Sequence, residues 1–273
     1  VSCEEGSASA TNGSIAKLPN KGRMYIHDNA NMGLSNGDGP VLVGHTASGN
    51  GGTVFLQSGS PQFTMEAGTI QGGTAVNGGA IYVAKGTVTI GNNANYTNGA
   101  TVNGSTVDTD AGMGGAVYVE SGTTVTMGAK GAISGGTAWR GGCVYVKGTF
   151  EMNGGTMSGG KSTNQGGLGF ISGTFNMTAG TATANTASTS NARGFRVQGG
   201  KMNLSGTAKV VSANKALGDG IDLLRTGNDT ATGVLTLADS ASVVGPNGEL
   251  TNNIRVQNYS KKSSKLSIAK DWK

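Results

Sequence analysis

Cysteine is almost missing from this chain. Cys3 and Cys143 are the only two, and several repeats lie between them, so both are read as free thiols rather than a disulfide staple. Charge is sparse, with Asp, Glu, Lys and Arg at 13%, and aromatic residues make up 5%. The net charge of +5 is concentrated at one end: Lys261, Lys262, Lys265, Lys270 and Lys273 against Asp271 contribute +4, leaving +1 for everything before them. The body therefore lacks the basic stripe that nucleic acid requires, and the lysine tail reads as a solvated face. No run of eighteen apolar residues occurs, which excludes a membrane-spanning helix. The opening "VSCEEGSASATNGS" holds no signal-peptide hydrophobic region. The segment is expected to be a mature or excised monomeric piece of a longer chain.

What is abundant is glycine, 50 residues of it. In a chain with few aromatics that composition invites a disordered reading, but the apolar residues recur in register with the glycines, and a disordered tract has no reason to keep such offsets. Near-copies of one phrase appear as "GGAIYVAKGTVTI" from residue 78, "GGAVYVESGTTVTM" from 114, "GGCVYVKGTFEM" from 141 and "GGLGFISGTFNM" from 166. Repeat starts near Gly51, Gly78, Gly114, Gly141, Gly166, Gly194 and Gly220 are spaced by 27, 36, 27, 25, 28 and 26 residues. Self-similarity at that period marks a solenoid, whose units bury their apolar faces only by stacking.

Within a unit, Val117 and Val119 alternate with outward residues, as do Ile81 and Val83, and Val144 and Val146; a period of two is a strand with one buried face. After a Gly-Thr step a second strand follows, with Val88 and Ile90, Val125 and Met127, and Phe150 and Met152 in the same roles. A third, shorter strand carries Ile70, Ile133 and Met157. Three short strands joined by Gly and Asn corners describe one coil of an all-β parallel β-helix with about 25–27 residues per coil. No sustained helical stripe competes with this reading, and glycine at this frequency would cost a helix about 1 kcal/mol each time. Residues 1–49 are expected to form irregular N-terminal coils or a cap, 50–245 the regular coils, and 246–273 the transition out of them, all in one domain.

The phrases "GGAI" at 78–81, "GGAV" at 114, "GGCV" at 141 and "FEMN" at 150–153 resemble the repeats of polymorphic outer-membrane adhesins, and "GTFEMNGGTMSGG" is similar to β-helix repeats of large surface proteins from gut Gram-positive bacteria. The resemblance spans about residues 50 to 245. It implies a right-handed, single-stranded β-helix, a choice that agrees with the general handedness of parallel crossovers. It also implies a non-catalytic adhesin or stalk segment, secreted or held at a bacterial cell surface, whose partner is a glycan or a host or neighbour-cell surface protein. A carbohydrate-active β-helix enzyme, a polysaccharide lyase or glycoside hydrolase, is the alternative.

Two stretches are candidate sites. The outward positions of the first strand read Phe55, Tyr82, Tyr118, Tyr145 and Phe170, then Arg196 and Asp222. Stacked coils put the five aromatics in one row, either a platform for sugar rings or extended chains or a stabilising cross-strand ladder under a covering loop. The one long spacing is due to residues 91–113, read as a loop in which Asp108 and Asp110 offer oxygen ligands to a ligand or Ca²⁺. No metal, cofactor or catalytic residue is assigned. Asp108, Asp110, Glu120, Glu151 and Arg140 are the charged residues an enzyme would draw on in the central coils. "GLSNG" at 33–37, near His27 and His45, lies in an Asn/Gly-rich stretch that lacks the strand and helix a nucleophile elbow needs. Cys143 stands where Ala80 and Ala116 stand in their repeats and reads as a small apolar residue.

Overall fold

The computed structural model describes residues 16–18, 23–26, 41–44, 46–92, 99–108, 110–185, 194–214, 218–224, 232–250, 253–259 and 262–273; "GLSNG", His27 and His45 lie outside them. Every regular element among these residues is a strand. Coil pairs with coil in parallel, giving a β-solenoid of about seven turns with three strands per coil.

The first face is a nine-stranded sheet. In spatial order it runs Ala16–Leu18, Val54–Leu56, Ile81–Val83, Val117–Val119, Val144–Val146, Gly169–Ile171, Phe195–Gln198, Ile221–Leu224 and Ile254–Val256. The second face begins with Arg23–Ile26 and Gln62–Met65 and continues without a break to Val234–Leu237 and Lys265–Ile268. Strands Thr149–Ser158 and Thr174–Thr183 are long enough to turn the corner, so their far halves supply the third face, beside Gly131–Arg140 and Lys209–Val211.

Register explains why the apolar residues recur as they do. Val54, Ile81, Val117 and Val144 are partners in adjacent coils, and so are Val88, Val125, Phe150, Phe175, Met202 and Leu235. All belong to one continuous buried cluster that fills the interior. Stacking each layer on the next removes apolar area from water along the whole rod, which a single coil could not do alone.

The glycine pair before each first-face strand does two different jobs. Gly51, Gly78, Gly114, Gly141 and Gly166 all have φ between 63° and 75°, a left-handed conformation that glycine adopts without steric cost. Their followers Gly52, Gly79, Gly115 and Gly142 are there for space. A Cβ at any of them would drive into the carbonyl oxygen of the matching glycine one coil on, Gly79, Gly115, Gly142 and Gly167 in turn.

The stretch 91–113 is not one loop. Ala100–Thr106 is the third-face strand of its coil, with Val102 buried between Ile70 and Ile133 in register. The offset between partners falls from 37 at Ile90 and Met127 to 31 at Ala100 and Gly131 and to 27 at Val117 and Val144, so the added length lies on both sides of this strand. Val102 is its one large inward residue and stands among small and polar neighbours, which hides its alternation.

Candidate functional site

The outward row of the first face is a second apolar cluster, separate from the interior. Phe55, Tyr82, Tyr118, Tyr145 and Phe170 are register partners in successive coils. Ring centroids lie 5.4, 4.6, 5.1 and 5.2 Å apart along the row, and the last three contacts are stacked, with planes within 15° of each other. The row points outward as alternation requires, but it is not open: each residue is 2–8% exposed. The three tyrosines have a ring on either face, and of the two readings of the row this packing fits the stabilising ladder. The row acts as a cross-strand ladder, a geometry whose ring contacts add to area burial.

Polar groups close its outer edge. The Glu120 carboxylate accepts from the hydroxyls of Tyr82 at 3.3 Å and Tyr118 at 3.4 Å and from the Ser121 amide at 3.0 Å. Lys147 Nζ stands 3.4 Å from Glu120 and 5.6 Å from the Tyr118 ring centre. Met113 and Ala84 pack on the rings. Burial first, and then neighbouring tyrosines and Glu120, push the Tyr82 and Tyr118 hydroxyls well above the ordinary tyrosine value. Burial also works against the charged form of Glu120, but the Ser121 amide, Lys147 and Tyr82 outweigh it and hold this carboxyl below its usual value. The tyrosines stay neutral and Glu120 ionised at neutral pH.

Asp108 and Asp110 sit in the corner that leads from Ala100–Thr106 to the next coil. Asp108 Oδ1 accepts from the backbone amides of Asp110 at 2.9 Å and Ala111 at 3.3 Å, and the Asp108 carbonyl accepts from Gly112 at 2.7 Å. One Asp108 oxygen thus shapes a tight turn. Among the described residues no group of three or more His, Cys, Asp or Glu gathers in the manner of a metal site. Glu151, another candidate acid, accepts from Asn176 at 2.8 Å, and Asn176 from Asn203 at 2.8 Å, so it begins an amide ladder on the second face. The structure does not bring Asp108, Glu120 and Glu151 to a common point: each is committed to its own local partners.

Cys143 is fully buried, its thiol 3.3 Å from the carbonyl oxygens of Gly135 and Ser158. Burial pushes the thiol up to about 12, which removes the thiolate that nucleophilic chemistry needs.

The group that sequence reading left unassembled follows the aromatics. Phe170 pairs with Arg196, Arg196 with Asp222, and Asp222 with Arg255. Arg196 and Asp222 are buried, and Arg196 Nη1 lies 2.6 Å from Asp222 Oδ2. Arg255 grips the same carboxylate through Nε at 3.0 Å and through Nη2. Gln257 Nε2 reaches both oxygens, at 3.0 and 3.1 Å. The succession Phe, Arg, Asp was visible as outward residues, whereas Arg255 and Gln257 come from a coil whose sequence has lost the repeat phrase.

Comparisons of the chain with family models, with curated proteins and with solved structures find no match.

Proposed function

We propose that this chain is a non-catalytic rod from a bacterial cell-surface or secreted protein, an adhesin or stalk segment whose outward ladders meet an extended glycan or a host or neighbour-cell protein. The observation that carries the reading is the unbroken second-face row Thr64, Thr89, Thr126, Glu151, Asn176, Asn203, Thr236 and Ser267. These residues stand in register over eight coils and are part-exposed throughout. Strand neighbours are separated by about 4.8 Å, so the row offers a linear partner a repeating set of hydroxyl and amide groups. The aromatic row contributes stiffness instead, because its rings are spent on one another. Glu120 and Glu151 likewise hold ladder neighbours in place, a use of charge that fits a passive scaffold. Among the described residues no helix is long and apolar enough to cross a membrane, and in this reading attachment to a surface is made outside the coils.

A glycan array and a polysaccharide-cleavage screen on the purified chain, each with and without Ca²⁺, test the proposal. Retention without cleavage, reduced when Asn176 and Asn203 are changed to Lys, is the expected result. Cleavage of any polysaccharide would overturn it in favour of a carbohydrate-active β-helix enzyme.

A further inference from the structure

The chemistry of the first-face row changes at Phe170, where the rings give way to the buried pair Arg196 and Asp222. Asp222 is 0% exposed and Arg196 3% exposed. A carboxylate offers about four lone-pair positions, and Arg255 Nε, Arg255 Nη2 and Gln257 Nε2 already occupy both Asp222 oxygens. Arg196 Nη1 approaches Oδ2 as a charge contact without hydrogen-bond alignment, and Arg196 Nε has no hydrogen-bond partner among the described residues. A buried guanidinium thus has an ion-pair partner but keeps donors without a hydrogen bond, although buried polar groups are normally satisfied.

A second guanidinium stands beside it. Arg140, at the end of strand Gly131–Arg140, lies over the Trp139 ring at 4.1 Å and over the Phe170 ring at 4.9 Å. Its Nε is also buried without a hydrogen-bond partner. Burial is the largest influence lowering Arg196, Asp222 opposes it, and Arg255 and Arg140 add to the lowering. Arg140 lies over the Phe170 ring and Arg196 is the register partner of Phe170 in the next coil, so both guanidiniums stand at this end of the row, where Asp222 is already taken. Two planar forks with spare N–H groups, set beside an aromatic ring, suit an oxyanion that accepts from both.

We infer that Arg140 and Arg196 form an oxyanion site at the Phe170 end of the aromatic row, taking a carboxylate or sulfate group, whether a free ion or a substituent of an acidic saccharide. This inference is independent of the rod reading and fails or stands separately from it.

The test is calorimetric titration and thermal melting of the intact chain with inorganic sulfate against chloride at matched ionic strength. Saturable sulfate binding that raises the melting temperature is expected, weakened about tenfold or more in Arg140→Gln and in Arg196→Met by loss of a charge-assisted contact. Arg140 is only part-buried, so its variant keeps the test valid should Arg196→Met fold poorly. Exposed Lys209→Gln is the control and should leave binding unchanged. Absence of sulfate binding in the parent, or equal binding in parent and both variants, would overturn the site. A glucuronate-containing and a sulfated disaccharide then identify the source: tighter binding than inorganic sulfate marks a saccharide substituent, and weaker binding marks a free ion.

Discussion

Tyr82 and Tyr118 lie ring over ring with centroids 4.6 Å apart and planes 14° from parallel, and both hydroxyls donate to the single carboxylate of Glu120. The long insertion between their coils does not disturb the contact, because Val102 and its neighbours restore the third face before the chain returns. The aromatic row is therefore a structural column outside the core, and its residues should report on stability.

Tyr118→Ala removes a ring stacked on both sides and should cost about 3 kcal/mol, in the range of large-to-small changes at buried aromatics. Tyr118→Phe retains the stack and loses only the hydroxyl contact to Glu120, so it should cost about 1 kcal/mol. Urea unfolding of the two variants checks the ratio. Equal and small losses would mean that the ring is not packed as described.

Val144→Asp places a carboxylate in the fully buried interior column. No partner waits for it there, and the loss should exceed about 4 kcal/mol, enough to abolish cooperative melting in a marginally stable chain. A parent-like melting curve would contradict the inward assignment.

The two glycines of a corner should fail differently. Gly114→Ala meets a left-handed backbone and should cost about 1–2 kcal/mol. Gly115→Ala drives its Cβ into the Gly142 carbonyl oxygen and forces two coils apart, so it should be the more damaging change despite its ordinary φ. Thermal melts of the pair settle the order.

The ladder gives stability an acid and an alkaline limb. Glu120 is held below its usual value in the fold, so its contribution is present above the unfolded carboxylate value and disappears as pH falls through the folded one. Tyr82 and Tyr118 are raised, so their contribution is complete below the unfolded tyrosine value of about 10 and is lost as pH rises beyond it. Melting temperatures from pH 2 to 11 should fall at both ends, and Glu120→Gln should flatten the acid limb. Ultraviolet titration should show these two hydroxyls ionising only as the protein unfolds.

In a Cys3→Ser background, Cys143 should resist a thiol reagent at pH 8 until denaturant is added, because it is buried and its thiol is pushed up to about 12. Reaction in the folded protein would place Cys143 at the surface.

The interior was readable from the chain because alternation at Val117 and Val119, or at Val125 and Met127, has one physical meaning in a strand. The direction of Phe55, Tyr82, Tyr118, Tyr145 and Phe170 was readable for the same reason. Their burial stood as one of two readings and was not decided, since the cover comes from Met113, Glu120 and Lys147, residues whose positions alternation does not define. The strand at 100–106 was missed because its only large inward residue is Val102. The charged cluster at Asp222 needed Arg255 and Gln257, which reach it from a coil with no glycine-pair phrase to announce its register.

The pairing geometry also dictates how the rod responds to force. Each coil is bound to the next by backbone hydrogen bonds directed along the long axis, as where Val117 N–H meets the Cys143 carbonyl at 2.9 Å. A pull along that axis loads one inter-coil boundary at a time rather than shearing all of them together, so the ends peel first and the tension is relieved in steps. Coils Val117 and Val144 are offset by 27 residues, and at about 3.4 Å per extended residue each step releases on the order of 90 Å of chain. A short stiff segment thereby carries a long reserve of extension that is drawn out one coil at a time.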